Sequence, residues 1–190
     1  MHLTIGNKLY SSWSLRPWIV LRAFDIPFEE TVIPLYRPES KARILQVSPS
    51  GKVPCLTDGD VRVWESLAII EYLAEKFPEK AIWPTDPKAR AHARAAASEM
   101  HAGFQALRSA CPMNLGKRFA RKDRGAAVAA DVARVTALWR KARQSFGGEG
   151  PFLYGAFSAA DAMFAPVVTR LDTYQVDVEP DTRAYMDAIL

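Results

Sequence analysis

Apolar and polar residues alternate along His2-Leu3-Thr4-Ile5-Gly6, the two-residue period of a half-buried strand, and then the period changes. Trp18, Ile19, Leu21 and Phe24 recur at helical spacing on a segment that starts near Ser12 to Ser14 and ends before Ile26-Pro27. A second strand is expected over residues 28–34, closed by Pro34, and a polar helical stretch over 38–46. Two β-rich runs, 53–57 and 61–64, flank Asp58-Gly59-Asp60, and an Asp-Gly between alternating runs favours a hairpin. Ser66 is expected to cap a helix over 67–77, with Leu67, Ile70, Leu73 and Ala74 on its apolar stripe. The predicted order is βαβαββα.

Residues 78–87 hold three prolines and no regular period, so 79–87 reads as a linker between a domain over 1–78 and a second over 88–190. Beyond it the pattern is alanine-rich and helical, with helices expected at about 86–111, 123–146, 158–172 and 181–190, and no strand of weight after residue 64. Ser158-Ala159-Ala160-Asp161 has the spacing of a capping box, in which serine and acid satisfy orphan amides at a helix start. The last helical pattern is still running at Ile189-Leu190, which points to a domain truncated at its C-terminus.

Composition narrows the classes. Hydrophobic residues make up 49% and charged residues 24% of the 190, the balance of a globular protein. The formal charge of +4 suits an acidic small ligand. The basic residues cluster only at Lys117, Arg118, Arg121, Lys122 and Arg124, which reads as a solvated face, so no nucleic-acid partner is expected. No secretory leader pattern opens the chain, and no apolar run approaches the ~18 residues that span a bilayer. Cys55 and Cys111 stand far apart in apolar surroundings, as reduced thiols of a cytoplasmic protein would. His2, His92 and His101 form no metal-ligand cluster, and Gly147-Gly148-Glu149-Gly150 lacks the lysine and strand context of a phosphate loop.

Three stretches carry candidate chemistry. In Lys52-Val53-Pro54 the proline opens a strand; with a cis bond it turns the Val53 backbone outward, where a peptide-like ligand can add as a strand, and with a trans bond the stretch is an ordinary loop. In Glu65-Ser66 a helix N-terminus offers amides to a carboxylate, with an acid beside it for an ammonium group, although Ser66 also fits a simple cap. Tyr10-Ser11-Ser12-Trp13-Ser14-Leu15-Arg16-Pro17 brings hydroxyls to the positive end of the first helix. These serines read either as turn and cap residues or as donors to a bound thiol. A thiol of pKa about 8.5 is only a few per cent ionised at neutral pH, and a hydrogen bond to its charged form, about 1.5–3 kcal/mol, shifts that by one or two units.

Together these stretches resemble the cytosolic glutathione transferase family over nearly the whole chain: a thioredoxin-like α/β domain (βαβαββα) followed by an all-α helical domain. The resemblance implies that Val53 and Pro54 bind the cysteinyl backbone of glutathione, Glu65 and Ser66 its γ-glutamyl end, and Lys52, with Lys41 or Arg37, its glycyl carboxylate. The serine loop is most similar to that of the zeta class, which includes maleylacetoacetate isomerases, and carries thiol activation to Ser11 with Ser12 as its neighbour. Trp13 stands where that class has cysteine.

The implied activity is a serine-type glutathione transferase of detoxification, acting as a cytoplasmic homodimer on a small electrophile that the sequence does not identify. Glutathione serves as co-substrate, with no metal and no membrane. A glutathione-dependent isomerase, a peroxidase, or a non-catalytic protein of the same fold are the alternatives. His101, Phe104, Arg108 and Met113 are candidates for the second-substrate pocket, the first three by their spacing on the first long helix of the helical domain.

Overall fold

The N-terminal alternation becomes strand β1 (His2–Ile5), whose Leu3 and Ile5 are buried while His2 stays half-exposed. The computed structural model describes residues 1–190 and divides into two units, Met1–Ile82 and Trp83–Leu190. In the first, β1 is followed by α1 (Ser12–Ala23), β2 (Glu29–Val32), α2 (Ser40–Val47), β3 (Cys55–Asp58), β4 (Val61–Trp64) and α3 (Ser66–Lys76). The strand order is β2-β1-β3-β4, with β2 parallel and β3 antiparallel to β1, and β4 antiparallel to β3. Helices α1 and α3 pack on each other, and Val20, Leu21, Ile69, Ile70 and Leu73 join Leu3, Ile5 and Leu56 in the core. This is the expected thioredoxin-like order, with the second strand trimmed to Glu29–Val32.

Ser66 departs from its expected place. The helix starts at Ser66 itself, the capping position falls to Glu65, and no side chain caps the helix. The hydroxyl expected outside the first turn is therefore carried inside it.

The second unit is helical: α4 (Pro87–Ala102), α5 (Gln105–Ala110), α6 (Ala126–Phe146), α7 (Ala159–Thr173) and α8 (Pro180–Ile189). The helix expected over 86–111 is broken in two. Gly103 ends α4, and Phe104 adopts φ +57°, a left-handed conformation that no helix continues through. The Phe104 ring is buried, and Arg108 Nη1 donates to the Gly103 carbonyl at 3.2 Å, so the break is held from both sides.

Residues 111–125, between α5 and α6, have no regular structure, and side chains of α7 and the residues just after it tie their carbonyls down. Arg170 donates to Cys111 O, Tyr174 to Pro112 O, Thr173 to Asn114 O and Gln175 to Phe119 O. Cys55 and Cys111 are both buried and unbridged. No helix is long and apolar enough to cross a membrane.

Helix α7 is the core of this unit, with 13 of its 15 residues buried. A helix buried on nearly every side must be covered by its neighbours, and here α4 and α8 pack against it. Asp161 at its start accepts from Leu153 N at 3.1 Å, Ser158 N at 2.9 Å and Ser158 Oγ at 2.9 Å, and burial still pushes its carboxyl up to about 6.

Two outcomes follow. Asp161→Ala leaves three donors without their acceptor and should cost at least about 2 kcal/mol in urea unfolding. The native carboxyl keeps its proton up to about pH 6, whereas an unfolded aspartate loses it near about 3.9, so the native state binds more protons in that window. The contribution of Asp161 to unfolding free energy should thus fall as pH rises from about 4 to about 6, and Asp161→Asn should flatten that slope.

Candidate functional site

Strand register brings the three chemistry-bearing stretches to one end of the first sheet. Thr4 pairs with Cys55 and Cys55 with Trp64, so one step further along lie Ile5, Pro54 and Glu65, and after them Gly6, Val53 and Ser66. Gly6 leads into the serine loop. Two strand spacings, about 10 Å, separate the β1 end from the β4 end. That is also about the reach of an extended tripeptide.

The serine loop is folded by its own backbone. Tyr10 N and Ser11 N both donate to Asn7 O, at 3.2 and 2.9 Å, and Asn7 Oδ1 takes Leu35 N at 2.7 Å, which anchors the loop to the chain beyond β2. Ser11 is the N-cap residue of α1, yet its hydroxyl makes no cap bond and instead donates to Ser14 Oγ at 2.8 Å. Ser14 Oγ also accepts from Gly6 N at 3.0 Å. Glycine at position 6 suits this packing, because a Cβ there would lie 2.7 Å from Leu35 Cδ1 and 2.9 Å from Ser11 Oγ and would push both side chains aside.

A hydroxyl turns about one bond, so the Ser11 proton can turn to another acceptor while Ser14 keeps Gly6. Ser12 is the first residue of α1, and its amide donates to Tyr10 O at 3.0 Å. No acidic residue stands in the first turn of α1, so the positive end of the helix is left for an anion.

In the centre of the row the Val53-Pro54 peptide bond is cis, and the ladder to β1 starts only at Cys55, which leaves the Val53 backbone past the last strand pair. Lys52 is exposed next to it, and Lys41 Nζ reaches over to Gly51 O at 3.3 Å.

At the β4 end, Glu65 has φ +73°, in the left-handed region where non-glycine residues are strained. Ser66 is fully buried and its hydroxyl has no hydrogen-bond partner. Leaving a buried hydroxyl unsatisfied costs about 1–3 kcal/mol. Strain at Glu65 and an orphan hydroxyl at Ser66 thus stand side by side at the start of α3, the kind of local cost that clusters at functional sites.

The four residues expected to line a second-substrate pocket lie in the second unit. His101 is half-buried near the end of α4, and Phe104 is buried at the helix break. Arg108 is half-buried on α5, with burial lowering its pKa, and Met113 is buried in the irregular segment. The break at Gly103-Phe104 removes the single helix face that their spacing implied. No group of three or more His, Cys, Asp or Glu side chains is placed to hold a metal ion.

The sequence places Ser14 among the serines that could cap the helix or donate to a thiol, and Gly6 only in the first strand; neither reading contains the contact between them. The Gly6 signal was available, a glycine closing the first strand directly before the serine loop. The role of Ser14 as acceptor for Gly6 and Ser11 carries no local signal, because serine inside a helix usually faces solvent.

Residues 10–76 match the glutathione S-transferase N-terminal domain. The chain is 32% identical over 179 residues to a probable maleylacetoacetate isomerase of Caenorhabditis elegans, spanning 90% of this chain and 82% of that one. A zeta-class glutathione S-transferase of Euphorbia esula is 30% identical over 174 residues, 87% of this chain and 77% of the other. A solved glutathione transferase homologue from Burkholderia, with bound glutathione, matches at a TM-score of 0.72 and 23% identity over 99% of this chain and 90% of its own. The apo form of human glutathione-S-transferase T1-1 matches at a TM-score of 0.68 and 23% identity, over 97% of this chain and 81% of that chain. At these identities the two structures speak to fold.

Ser14→Ala strips the buried Gly6 amide and the Ser11 hydroxyl of their shared acceptor. Guanidinium unfolding should show a loss of about 1–3 kcal/mol. A loss no larger than a surface substitution would mean that water replaces Ser14 and that the loop does not depend on it.

Proposed function

Because this chain belongs to the glutathione S-transferase family, we propose that it lays glutathione across the end of the first sheet and holds the sulfur as a thiolate at Ser11. The buried, partnerless Ser66 hydroxyl carries this reading. A γ-glutamyl carboxylate supplies the acceptor that Ser66 and the first amides of α3 lack, and Glu65 takes the ammonium group beside it. The cysteinyl backbone pairs with Val53 beyond the ladder, in the manner of an added strand. Lys52, with Lys41 behind it, meets the glycyl carboxylate.

This placement directs the thiol to the other end of the row, toward Ser11 and the amide end of α1. The Ser11 proton turns from Ser14 to the sulfur, the thiol proton leaves to solvent, and the sulfur forms a bond to an electrophilic carbon. A displaced leaving group departs with the bonding pair; a conjugated alkene instead takes a proton at the neighbouring carbon. Ser12, one residue on, adds to the field at the helix start. A homodimer in the cytoplasm is the expected assembly.

The similarity to a protein named as a probable maleylacetoacetate isomerase favours a second use of the same site. Reversible addition of the thiolate to a cis double bond permits rotation about the resulting single bond, and elimination then returns glutathione unchanged. Trp13 replaces the cysteine of that class, so all nucleophilic sulfur in this scheme comes from glutathione.

Steady-state kinetics with a chloronitrobenzene-type electrophile separate the roles. Ser11→Ala should lower kcat at least about tenfold with glutathione KM within about twofold, since the lost bond is to the thiolate. Glu65→Gln should raise glutathione KM about tenfold with a smaller effect on kcat, because its bond is made in ground and transition states alike. A Ser11→Ala enzyme with unchanged kcat would move thiol activation to Ser12 or the helix amides.

A further inference from the structure

Arg16 is the largest fully buried charged side chain of the molecule, 1% exposed, and it lies four residues from Ser12 on α1. Two contacts tie it to the serine loop. Its Nη1 donates to the Ser12 carbonyl at 3.0 Å, and its guanidinium carbon stands 4.2 Å from the centre of the Trp13 ring. One side chain thus grips two consecutive residues next to the proposed thiolate donor.

The helix needs such a grip at this point. Pro17 lies in the second turn of α1 and has no amide to give to the Trp13 carbonyl, so the first turn is bound to the rest of the helix by one bond fewer. The Arg16 side chain adds a bond back to that turn, at the Ser12 carbonyl. Packing alone does not require an arginine, since a buried guanidinium carries a desolvation penalty that methionine or leucine of similar volume avoids. A fixed positive charge beside the first turn gives what an apolar residue does not: a potential that favours an anion at the helix start.

We infer that Arg16 is a positioning residue of the thiol site, holding the Ser12-Trp13 turn in place for Ser11 and biasing the bound sulfur toward its thiolate. This rests on the glutathione reading given above. Arg16 acts through Ser12, Trp13 and its field, not by touching the reacting atoms. The other charged groups on the elements around α1 are Lys8, paired with Glu30, Glu65 just before the α3 helix that packs against α1, and, on α3 itself, Glu71, Glu75 and Lys76, with Lys76 paired to Asp58. All of these side chains are retained in the variants, which differ from the wild-type protein at position 16 alone.

The test is a pH titration of the ultraviolet thiolate absorbance of bound glutathione in the wild-type, Arg16→Lys and Arg16→Gln proteins. Glutamine keeps a donor for the Ser12 carbonyl without the charge; lysine keeps the charge without the planar stacking group. Arg16→Gln should raise the pKa of the bound thiol by about one unit, a tenfold smaller thiolate-to-thiol ratio. Arg16→Lys should shift it by less than half as much, and glutathione KM should stay within about twofold in both. An unmoved thiol pKa in Arg16→Gln, with glutathione bound and only thermal stability reduced, would overturn the inference and leave Arg16 as a structural staple. Absence of glutathione binding by the wild-type protein would instead overturn the glutathione reading itself, and this inference with it.

Discussion

The register of three strands governs the first unit. Because Thr4 is opposite Cys55 and Cys55 opposite Trp64, the chain leaves the sheet at Gly6, Val53 and Glu65-Ser66 at the same end. Side chains in a strand alternate faces, so a slip of one residue at either ladder would turn Leu3 and Ile5, or Leu56, out of the core. The apolar pattern that buries those residues therefore also fixes which polar residues meet. Folding energy and site geometry rest on the same pairing.

Around that row, ordinary local preferences have been given up. Glu65 takes a backbone conformation that favours glycine, Ser66 buries a hydroxyl without a partner, and Ser11 forgoes its cap bond to serve Ser14. Each carries a modest local cost of about 1–3 kcal/mol, which the packed core of α1, α3 and the sheet must offset. The second unit shows the contrasting case at Asp161, where every polar arrangement closes on itself in three hydrogen bonds and serves the start of the core helix.

Much of this was legible in the sequence because period and punctuation are local signals. The alternation of β1, the Asp-Gly hairpin and the stripe of α3 fixed the element order, and the family's motifs marked Ser11, Val53-Pro54 and Glu65-Ser66. The misses were tertiary. Nothing local distinguishes a capping serine at 66 from one drawn one residue inward and buried, because the difference is set by the conformation of Glu65. The helix expected over 86–111 keeps its helical period past Gly103, the one local stop signal, and the burial of Phe104 with the reach of Arg108 to Gly103 O holds the break there. Ser14 bonds to a residue eight positions earlier, outside any sequence window used for capping.

The central claim is that the α3 end of the row is built for a γ-glutamyl group. Calorimetric titration of the protein with glutathione and with cysteinylglycine, which lacks that group, tests it most directly. The account predicts saturable binding of glutathione and an affinity for cysteinylglycine weaker by at least about a hundredfold, the loss of about 3 kcal/mol of charge-assisted hydrogen bonds. Equal affinity for the two, or no binding of glutathione at millimolar concentration, would contradict it.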